Sequence, residues 1–470
     1  MKKILFLITF CFLLTNLNAQ QVQWANKLIK YSSDLGGKQF GIKRILGRPD
    51  AFPQAGSSPN AWTPKNALNG EFVEVSFEKP QTVKQVAVFE NLNSGCVSKI
   101  SIDNGSGKYQ MVWSRKINYK TPTFKASIPA DTKYYYKRKR RKIQEAPEVL
   151  NPGIENALLE NAVSGVVAVR VEFDFALLPG QKQIDAIGIS DSEIPLRAMI
   201  NTSPIFENLP ASKIVALDGI TPTNPTVSSD GKKLFITNLK DDKDEVCSFT
   251  KTGNNWVNKK VETQFNTNPN YNYIEYSGND FLLKGGNVYS KGSNESGYEL
   301  ISKDNTSLGI VKINAFNNYE DTSDATITDD GKTLIMGIET DFTQGGTDLY
   351  FAQKKDDGTY GFLQNMGKVI NSAADEGMPQ LLSDQATLIF SSNGFSSFGD
   401  FDIFVSHRLD DTWKNWTEPI NLGSKVNTNE FDGLPFYDET NETLYFITSV
   451  SGSNILKAII IPKSSIKKSN

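Results

Sequence analysis

Residues 378–429 read MPQLLSDQATLIFSSNGFSSFGDFDIFVSHRLDDTWKNWTEPINLGSKVNTN, and the fold prediction starts from these residues. It contains four short apolar segments separated by Asp, Asn and Gly residues, a pattern that predicts four β-strands. Similar segments recur through the second half of the chain. Their openings are 46, 54, 54 and 56 residues apart, at Pro225, Tyr271, Ala325, Pro379 and Pro435. A repeat of this length with about four strands is typical of β-propeller blades, so the sequence predicts a five-bladed propeller over residues 212–463.

The two ends of the repeat region predict how the ring closes. The last repeat ends near Pro462 after three strands, whereas residues 213–217 form a single strand before the first repeat. We expect this early strand to complete the last blade, because closure leaves no unpaired sheet edge. Each full repeat also has a tight turn after its first strand, where a hairpin needs positive φ. These turns are residues 229–232, 329–332, 383–386 and 439–442.

The segment before the repeats predicts a second, separate β-domain. Residues 20–190 contain short alternating apolar segments divided by Gly, Asn, Asp and Pro, which favours a β-sandwich and an all-β chain. Only residues 23–35 could hold a helical turn or two. Residues 191–211 contain three prolines and little periodicity, which predicts a linker, and residues 464–470 are expected to be a tail.

The first nineteen residues have the pattern of a secretory signal peptide. Lys2 and Lys3 precede an apolar run over residues 4–14, and a polar stretch ends at Ala19. No later stretch has the roughly 18 apolar residues that a membrane helix needs. We therefore expect an exported protein of the periplasm or outer membrane, attached peripherally to that membrane or released outside the cell. The formal net charge of −3 and the export signal argue against nucleic acid as a partner.

A strongly basic insert interrupts the first domain at residues 115–145. It has eleven Lys and Arg residues against only Asp131 and Glu145. Such a segment can bind phosphate, lipid A or an acidic glycan, or it can be a solvated extension whose charges repel one another. The solvated extension is the simpler interpretation.

The repeats resemble those of TolB-type, WD40-like (PD40) propellers. The resemblance rests on Pro-x-x-x-Ser-Asp-Gly-Lys-x-Leu at residues 225–234, an acid before Ile/Leu and Phe/Tyr at Asp348 and Asp402, and Pro-Ile-Asn-Leu-Gly at residues 419–423. The version here is similar to OmpA-associated envelope proteins of Bacteroidota, although their OmpA domain is not expected in this chain. Residues 45–50, 61–64, 72–75 and 184–187 resemble a galactose-binding-like (discoidin-like) jelly roll. The resemblance implies an envelope protein that binds other proteins.

Residue counts argue against several kinds of catalysis. The chain has a single histidine, His407, and keeps only Cys96 and Cys247 after export, which argues against His-based triads and Cys-rich metal sites. Arg408 is the only arginine after residue 200, whereas sialidase-like propellers need several to bind a carboxylate. We expect no enzyme activity and no cofactor. The one exception is a structural Ca²⁺, which the many acidic residues could bind.

Two groups of residues are candidate ligand contacts. In the first domain they are Trp62, Glu90, Asn91 and Asp185, which can bind a sugar or Ca²⁺, or can serve as core and loop-tying residues. At the predicted propeller mouth they are Asn371, Glu376, Asn427 and Glu430, which can contact a ligand or cation, or can shape the loops. The repeated Asp348 and Asp402 are expected to be structural, because buried polar groups must be hydrogen-bonded.

Three functions follow from these observations. The first is a scaffold that binds envelope proteins through its propeller loops, which form a broad rigid face. The second is a carbohydrate-binding protein in which the jelly roll binds an envelope or external glycan. The third, the least supported, is a glycan-active enzyme that uses acids at the channel mouth.

Overall fold

The described part of the chain is almost entirely β-structure. The computed structural model describes residues 20–66, 68–116, 152–178, 180–240, 243–268, 272–277, 281–285, 294–302, 304–316 and 324–468. The all-β prediction is confirmed. The predicted signal peptide and nearly all of the basic insert lie outside the described residues. No helix within the described ranges is long and apolar enough to cross a membrane.

The first domain is built on one large antiparallel sheet. In the described residues its strands are β1 (Val22–Trp24), β2 (Lys27–Tyr31), β3 (Gly70–Glu90), β4 (Val97–Asp103), β5 (Gln110–Ser114), β6 (Gly153–Asp174) and β7 (Ala186–Ser190). Their order is β1-β7-β3-β6-β4-β5, and β2 pairs with β3. Shifts in the β3–β6 register between Ser76 and Gln85 mark bulges, which bend paired strands. The jelly-roll connectivity stays a prediction.

The expected helical turns over residues 23–35 are wrong. Strands β1 and β2 occupy this stretch, where β1 pairs with β7 and β2 pairs with β3. Short segments have weak intrinsic preferences, so the available sheet edges decide their structure. The described helices of this domain are two short 3₁₀ turns, Ile42–Ile45 and Phe175–Leu177.

Five sheets form the propeller blades and confirm the predicted blade number; the strands of each blade are antiparallel to their neighbours. A short helix, α1 (Pro204–Glu207), and strand β8 (Lys213–Ile214) precede them. Blade 1 contains β9 (Pro222–Val227), β10 (Lys233–Asn238), β11 (Glu245–Thr252) and β12 (Asn255–Val261). Blade 2 contains β13 (Tyr273–Ser277), β14 (Phe281–Gly285), β15 (Glu295–Ser302) and β16 (Ser307–Asn314).

The other three blades follow the same order, with one strand crossing between sheets. Blade 3 contains β17 (Ala325–Ile327), β18 (Thr333–Ile338), β19 (Asp348–Gln353) and β21 (Gln364–Asn365), while β20 (Tyr360–Phe362) pairs in parallel with β16 of blade 2. Blade 4 contains β22 (Glu376–Leu381), β23 (Thr387–Ser392), β24 (Asp402–His407) and β25 (Ile420–Asn421). Blade 5 contains β26 (Asp432–Asp438), β27 (Thr443–Val450) and β28 (Ser453–Ile460), and helix α2 (Lys463–Ile466) follows it.

The ring closes as the sequence predicts. Strand β8 pairs with β28, so a segment from before the first blade completes the fifth. The first strands of neighbouring blades contact one another around the ring, and β26 contacts β9. Apolar side chains from adjacent blades form shared cores, such as Ile335 and Phe351 of blade 3 with Phe390 and Phe404 of blade 4. Each blade therefore buries its faces against its neighbours.

Tight turns link the first two strands of the blades. Positive φ falls on Gly231 (68°) and Gly331 (66°), where the Asp-Gly pairs predicted it. In blades 4 and 5 it falls instead on Gln385 (52°) and Glu442 (51°). The left-handed conformation is therefore required even where the sequence offers no glycine.

Residues 191–211 and the chain end pack against the propeller, although the sequence suggested a linker and a tail. Asn201 donates from Nδ2 to the carbonyl oxygen of Pro419 (2.8 Å), while Phe206 and Leu209 are buried in the core between blades 4 and 5. Ile466 is buried in the same core. The carbonyl oxygen of Ile466 lies 2.9 Å from Nε2 of His407, so this histidine holds the chain end. Tertiary packing of these short segments leaves no periodic pattern in the sequence, so the sequence did not show that they join the core.

Candidate functional site

Trp62, the first-domain candidate for stacking on a sugar, lies in the core. Its side chain is fully buried, and its ring centroid is 5.8 Å from that of Phe173 and 6.4 Å from that of Phe175. A sugar platform needs an exposed ring face, which Trp62 does not have. The ligand interpretation of this residue is therefore wrong.

Glu90 and Asn91 shape the loops at the end of β3. The Glu90 carboxylate accepts hydrogen bonds from the backbone N–H groups of Gly95 (3.0 Å) and Cys96 (3.0 Å), and its burial raises its pKa to about 7. Asn91 is fully buried and donates from Nδ2 to the carbonyl oxygen of Gly56 (2.8 Å) and to Oε1 of Gln183 (2.9 Å). These contacts correct the predicted ligand roles of both residues.

Asp185 holds the loop that leads toward the propeller. It is buried, and its carboxylate accepts hydrogen bonds from the backbone N–H groups of Asp50 (3.1 Å) and Ala51 (3.2 Å). Burial raises the pKa of Asp185 to about 6. The predicted sugar or Ca²⁺ contact is thus a loop-positioning residue.

A three-residue polar network fixes the predicted mouth loop of blade 3. Asp348 accepts from the backbone N–H of Gln344 (2.6 Å) and from Nδ2 of Asn365 (2.6 Å). Asn365 in turn accepts from Nδ2 of Asn371 (3.0 Å). Asn371 is buried and bonds both the N–H (2.8 Å) and the C=O (2.9 Å) of Leu349. Asn371 is therefore occupied with backbone groups and is not a free ligand contact.

Blade 4 repeats the network one blade further along the ring. Asp402 accepts from the backbone N–H of Phe398 (2.7 Å) and from Nδ2 of Asn421 (2.6 Å). Asn427 donates to Oδ1 of Asn421 (2.8 Å) and bonds both the N–H and the C=O of Ile403 (2.8 and 3.0 Å). Burial raises the pKa of Asp402 to about 7. The structural role expected for Asp402 fits these contacts, whereas the ligand role of Asn427 does not.

Glu376 and Glu430 differ in exposure. Glu376 is fully buried and accepts from the N–H (2.8 Å) and hydroxyl (2.6 Å) of Ser372 and from the hydroxyl of Ser392 (2.7 Å). Its burial raises its pKa to about 8, well above the ordinary range of a glutamate. Glu430 is half-buried, and its N–H donates to the Thr428 hydroxyl (3.2 Å). Of the four mouth candidates, only Glu430 keeps part of its side chain exposed to solvent.

The first domain packs on the same loops of blades 3 and 4. Asn60 is 1% exposed, donates from Nδ2 to the carbonyl oxygen of Gly394 (2.6 Å), and accepts from the N–H of Ala373 (2.8 Å). The Ser396 hydroxyl donates to the carbonyl oxygen of Pro49 (2.7 Å). The part of the propeller face that was predicted to meet a ligand is thus covered by the first domain.

Beside this contact, the two domains enclose a cavity of about 330 Å³. The first-domain wall includes Asp50 and Ser57, and the propeller wall includes Asp375, Phe395 and Asp400. Ser57 is exposed at the opening. The cavity is therefore reachable from solvent and has polar groups from both domains.

The space in the central channel is much smaller than the cavity between the two domains. Residues on or directly before the innermost strands surround about 20 Å³, which holds about one water molecule; among them are Asn224, Glu275, Asp324 and Met378. Burial raises the pKa of Glu275 well above its ordinary range and that of Asp324 to about 6. Among the described residues, no group of three or more His, Cys, Asp or Glu side chains is placed to hold a metal ion. The space that these residues surround is too small for a sugar.

No protein-family model matches the chain. No curated protein matches it either. Solved structures do match. TolB from Acinetobacter baumannii is 10% identical, with a TM-score of 0.34 over 52% of this chain and 55% of that one. A thermostable family-43 glycoside hydrolase is 12% identical, with a TM-score of 0.33 over 55% of this chain and 98% of that one. An α-L-arabinofuranosidase from Lactobacillus brevis is 11% identical, with a TM-score of 0.34 over 51% and 90%.

These similarities concern the fold, and none of them identifies a function. The chain spans about half of the length of the TolB structure. Structures of TolB and of glycoside hydrolases both stand among the similar structures.

Asn60, Asn365 and the cavity residues were not predicted from the sequence. Asn60 lies 313 residues from its partner Ala373, and no local pattern shows such a contact. A signal for the polar networks does exist, because Asn365 and Asn371 have the same spacing as Asn421 and Asn427. A repeated amide pair beside a repeated Asp is more typical of a structural network than of a single ligand site.

Proposed function

We propose that this chain is an exported, non-catalytic protein of the cell envelope whose propeller loops bind other envelope proteins. One observation carries the proposal. The acids and amides that could have served catalysis at the mouth of blades 3 and 4 are hydrogen-bonded to the protein's own loops. Asp348, Asp402 and Glu376 each accept at least two such bonds. Side chains held this way build rigid loops, and rigid loops present a defined surface to a partner.

The binding surface that we propose lies at the opposite ends of the inner strands. The first-domain contact occupies loops of blades 3 and 4. The turns after β9, β22 and β26 instead surround an open depression of about 270 Å³, lined by Ser229, Gln380, Ser383, Glu439 and Thr440 among others. Ser229 and Thr440 are exposed there. Such a concave rim of turns can receive a protruding loop or chain end of a partner.

Export supports the envelope as the location. The signal-peptide pattern over residues 1–19 directs the chain across the inner membrane, and the resemblance to TolB-type envelope repeats points to the periplasm or the outer membrane. We propose peripheral attachment there through protein partners, with no cofactor required for binding.

Affinity purification of the tagged protein from gently solubilised native envelope, followed by mass spectrometry, tests the proposal. A few stoichiometric outer-membrane or periplasmic proteins are expected. Recovery of the protein alone, or with polysaccharide only, would contradict it.

A glycan-binding function is the second candidate, and the interdomain cavity is the observation that favours it. The original first-domain candidates are buried, so the glycan would have to bind at other residues. The cavity supplies polar groups from both domains at a solvent-accessible position.

A further inference from the structure

The contact between the first domain and the propeller has no apolar core of its own. Among the described residues, the apolar clusters of the first domain contain only residues 22–198, and those of the propeller contain only residues 206–466. The cavity of about 330 Å³ also leaves part of the contact unpacked. Domains that meet without a large apolar interface are expected to move relative to each other.

Side chains make the described hydrogen bonds across this contact. In most of these bonds the first domain supplies an N–H donor, and a loop of blade 3 or 4 supplies a backbone carbonyl oxygen. Three such pairs are Gln39 with Ala373 (3.0 Å), Arg44 with Gln344 (3.4 Å) and Asn60 with Gly394 (2.6 Å). No backbone–backbone hydrogen bond joins the two domains within the described ranges. Because water replaces side-chain bonds of this kind when the domains part, they contribute little net free energy to the contact.

A short irregular segment connects the two domains. Leu196 belongs to the first domain, since it is buried in an apolar cluster there and its N–H donates to Oδ1 of Asn156 (2.9 Å). Asn201 is fixed to blade 4 by the bond described above. The four residues between them, 197–200, lie in neither a helix nor a strand, and Met199 is 77% exposed. A few loop residues of this kind commonly form a hinge, because they can absorb a change in φ and ψ.

We infer that the first domain is a reversible cover over the loops of blades 3 and 4, and that it swings away as a rigid body about residues 197–200. The movement breaks side-chain hydrogen bonds and leaves the sheets and the apolar core of each domain intact. It exposes backbone carbonyl oxygens of the two blades. A protein that competes with the first domain for these loops must therefore carry N–H donors, such as Lys, Arg or amide side chains.

This cover is distinct from the rim of turns proposed to bind envelope proteins. The turns after β9, β22 and β26 line the open depression on the other side of the blades, and none of them takes part in the described interdomain bonds. The cover therefore goes beyond the proposed function, and the two can fail separately.

Distances between two spin labels, measured by double electron–electron resonance on the full exported chain, test the inference. One label is placed by Ser106→Cys, in the exposed turn between β4 and β5, and the other by Lys259→Cys, at an exposed position of β12. The native Cys96 and Cys247 are buried and should stay unlabelled. Two distance populations are expected, one for the closed arrangement of the structure and one for the open arrangement.

Adding Asn60→Ala to the labelled chain should raise the ratio of open to closed molecules at least tenfold. The reason is that this variant loses two bonds that exist in the closed state only. Asn66→Ala, at an exposed position, should leave the ratio unchanged. The inference is overturned if wild type and Asn60→Ala both show only the closed distance, or if Asn60→Ala leaves the ratio as it is in the wild type.

A cleavable cross-link gives a second test that keeps Asn60 in place. Leu35 and Phe342 are 54% and 69% exposed, on loops that meet across the contact. These loops are joined by Lys38, whose Nζ donates to the carbonyl oxygen of Asp341 (3.4 Å). A short cleavable linker between Leu35→Cys and Phe342→Cys should therefore hold the cover closed.

Hydrogen exchange measures the effect of this lock. The N–H of Ala373 donates to Oδ1 of Asn60 (2.8 Å), so it should exchange at least tenfold more slowly after cross-linking than after cleavage of the linker. The N–H of Val405, in a buried part of β24, should exchange at the same rate in both states. Equal exchange of the Ala373 N–H before and after cleavage would overturn the inference.

Discussion

Replacing Asn60 by alanine removes two hydrogen bonds of the buried contact between the two domains. In the native protein its amide satisfies the carbonyl oxygen of Gly394 and the N–H of Ala373, both within a buried contact. Alanine cannot bond either group, and each unsatisfied buried backbone group costs about 1–3 kcal/mol. The two losses together amount to about 2–6 kcal/mol, with the lower end expected if water enters the gap.

Urea unfolding followed by tryptophan fluorescence measures this loss. The Asn60→Ala variant should unfold at a lower urea concentration. The unfolding transition of the first domain should also separate from that of the propeller, because the two lost hydrogen bonds join these domains. Asn66→Ala is the matched control, since Asn66 is exposed and its removal should change the free energy of unfolding by less than about 0.5 kcal/mol. Identical unfolding curves for wild type and Asn60→Ala would refute the proposed link.

Two further predictions concern pH and close packing. The raised pKa values of Glu376 (about 8), Asp402 (about 7) and Glu90 (about 7) mean that the native state keeps protons which the unfolded state releases. Their contribution to the free energy of unfolding should therefore be complete below about pH 4 and fall as the pH rises to about 8, by about 1.4 kcal/mol for each unit of raised pKa. Urea midpoints at several pH values measure how steeply the free energy of unfolding falls with pH. The Glu376→Gln variant should show a smaller fall, and an unchanged fall would show that Glu376 does not contribute to it. Gly399→Ala should destabilise the protein by about 1–3 kcal/mol, because the added Cβ would lie 2.4 Å from the carbonyl oxygen of Glu430, whereas Gly377→Ala meets no atom within 4 Å and should be tolerated. Equal thermal midpoints for the two glycine variants would contradict this packing argument.

The blades could be predicted because their signals are local. Strand, turn and strand follow one another within each repeat, and the Asp-Gly turns at Gly231 and Gly331 specify the hairpins directly. Closure by Lys213–Ile214 could also be predicted, since a ring with a missing outer strand leaves an unpaired edge.

The candidate site could not be predicted in the same way. Whether Glu376 meets solvent or the two hydroxyl groups of Ser372 and Ser392 depends on strands that come together only in the fold. An acid or amide beside a strand has the same appearance in a sequence whether it binds a ligand or a backbone group. The contact of Asn60 with Ala373 joins distant parts of the chain, so residue type and spacing carried no information about it.

The decisive measurement is a purification of partners with a variant of the depression lined by the turns after β9, β22 and β26. Tagged wild type, Ser229→Trp and Ser106→Trp are recovered from gently solubilised native envelope and compared by quantitative mass spectrometry. We expect wild type and Ser106→Trp to recover the same stoichiometric envelope proteins, and Ser229→Trp to lose them. Recovery of no stoichiometric protein by the wild type, or an unchanged set of partners with Ser229→Trp, would contradict the claim that the turns of this rim bind envelope proteins.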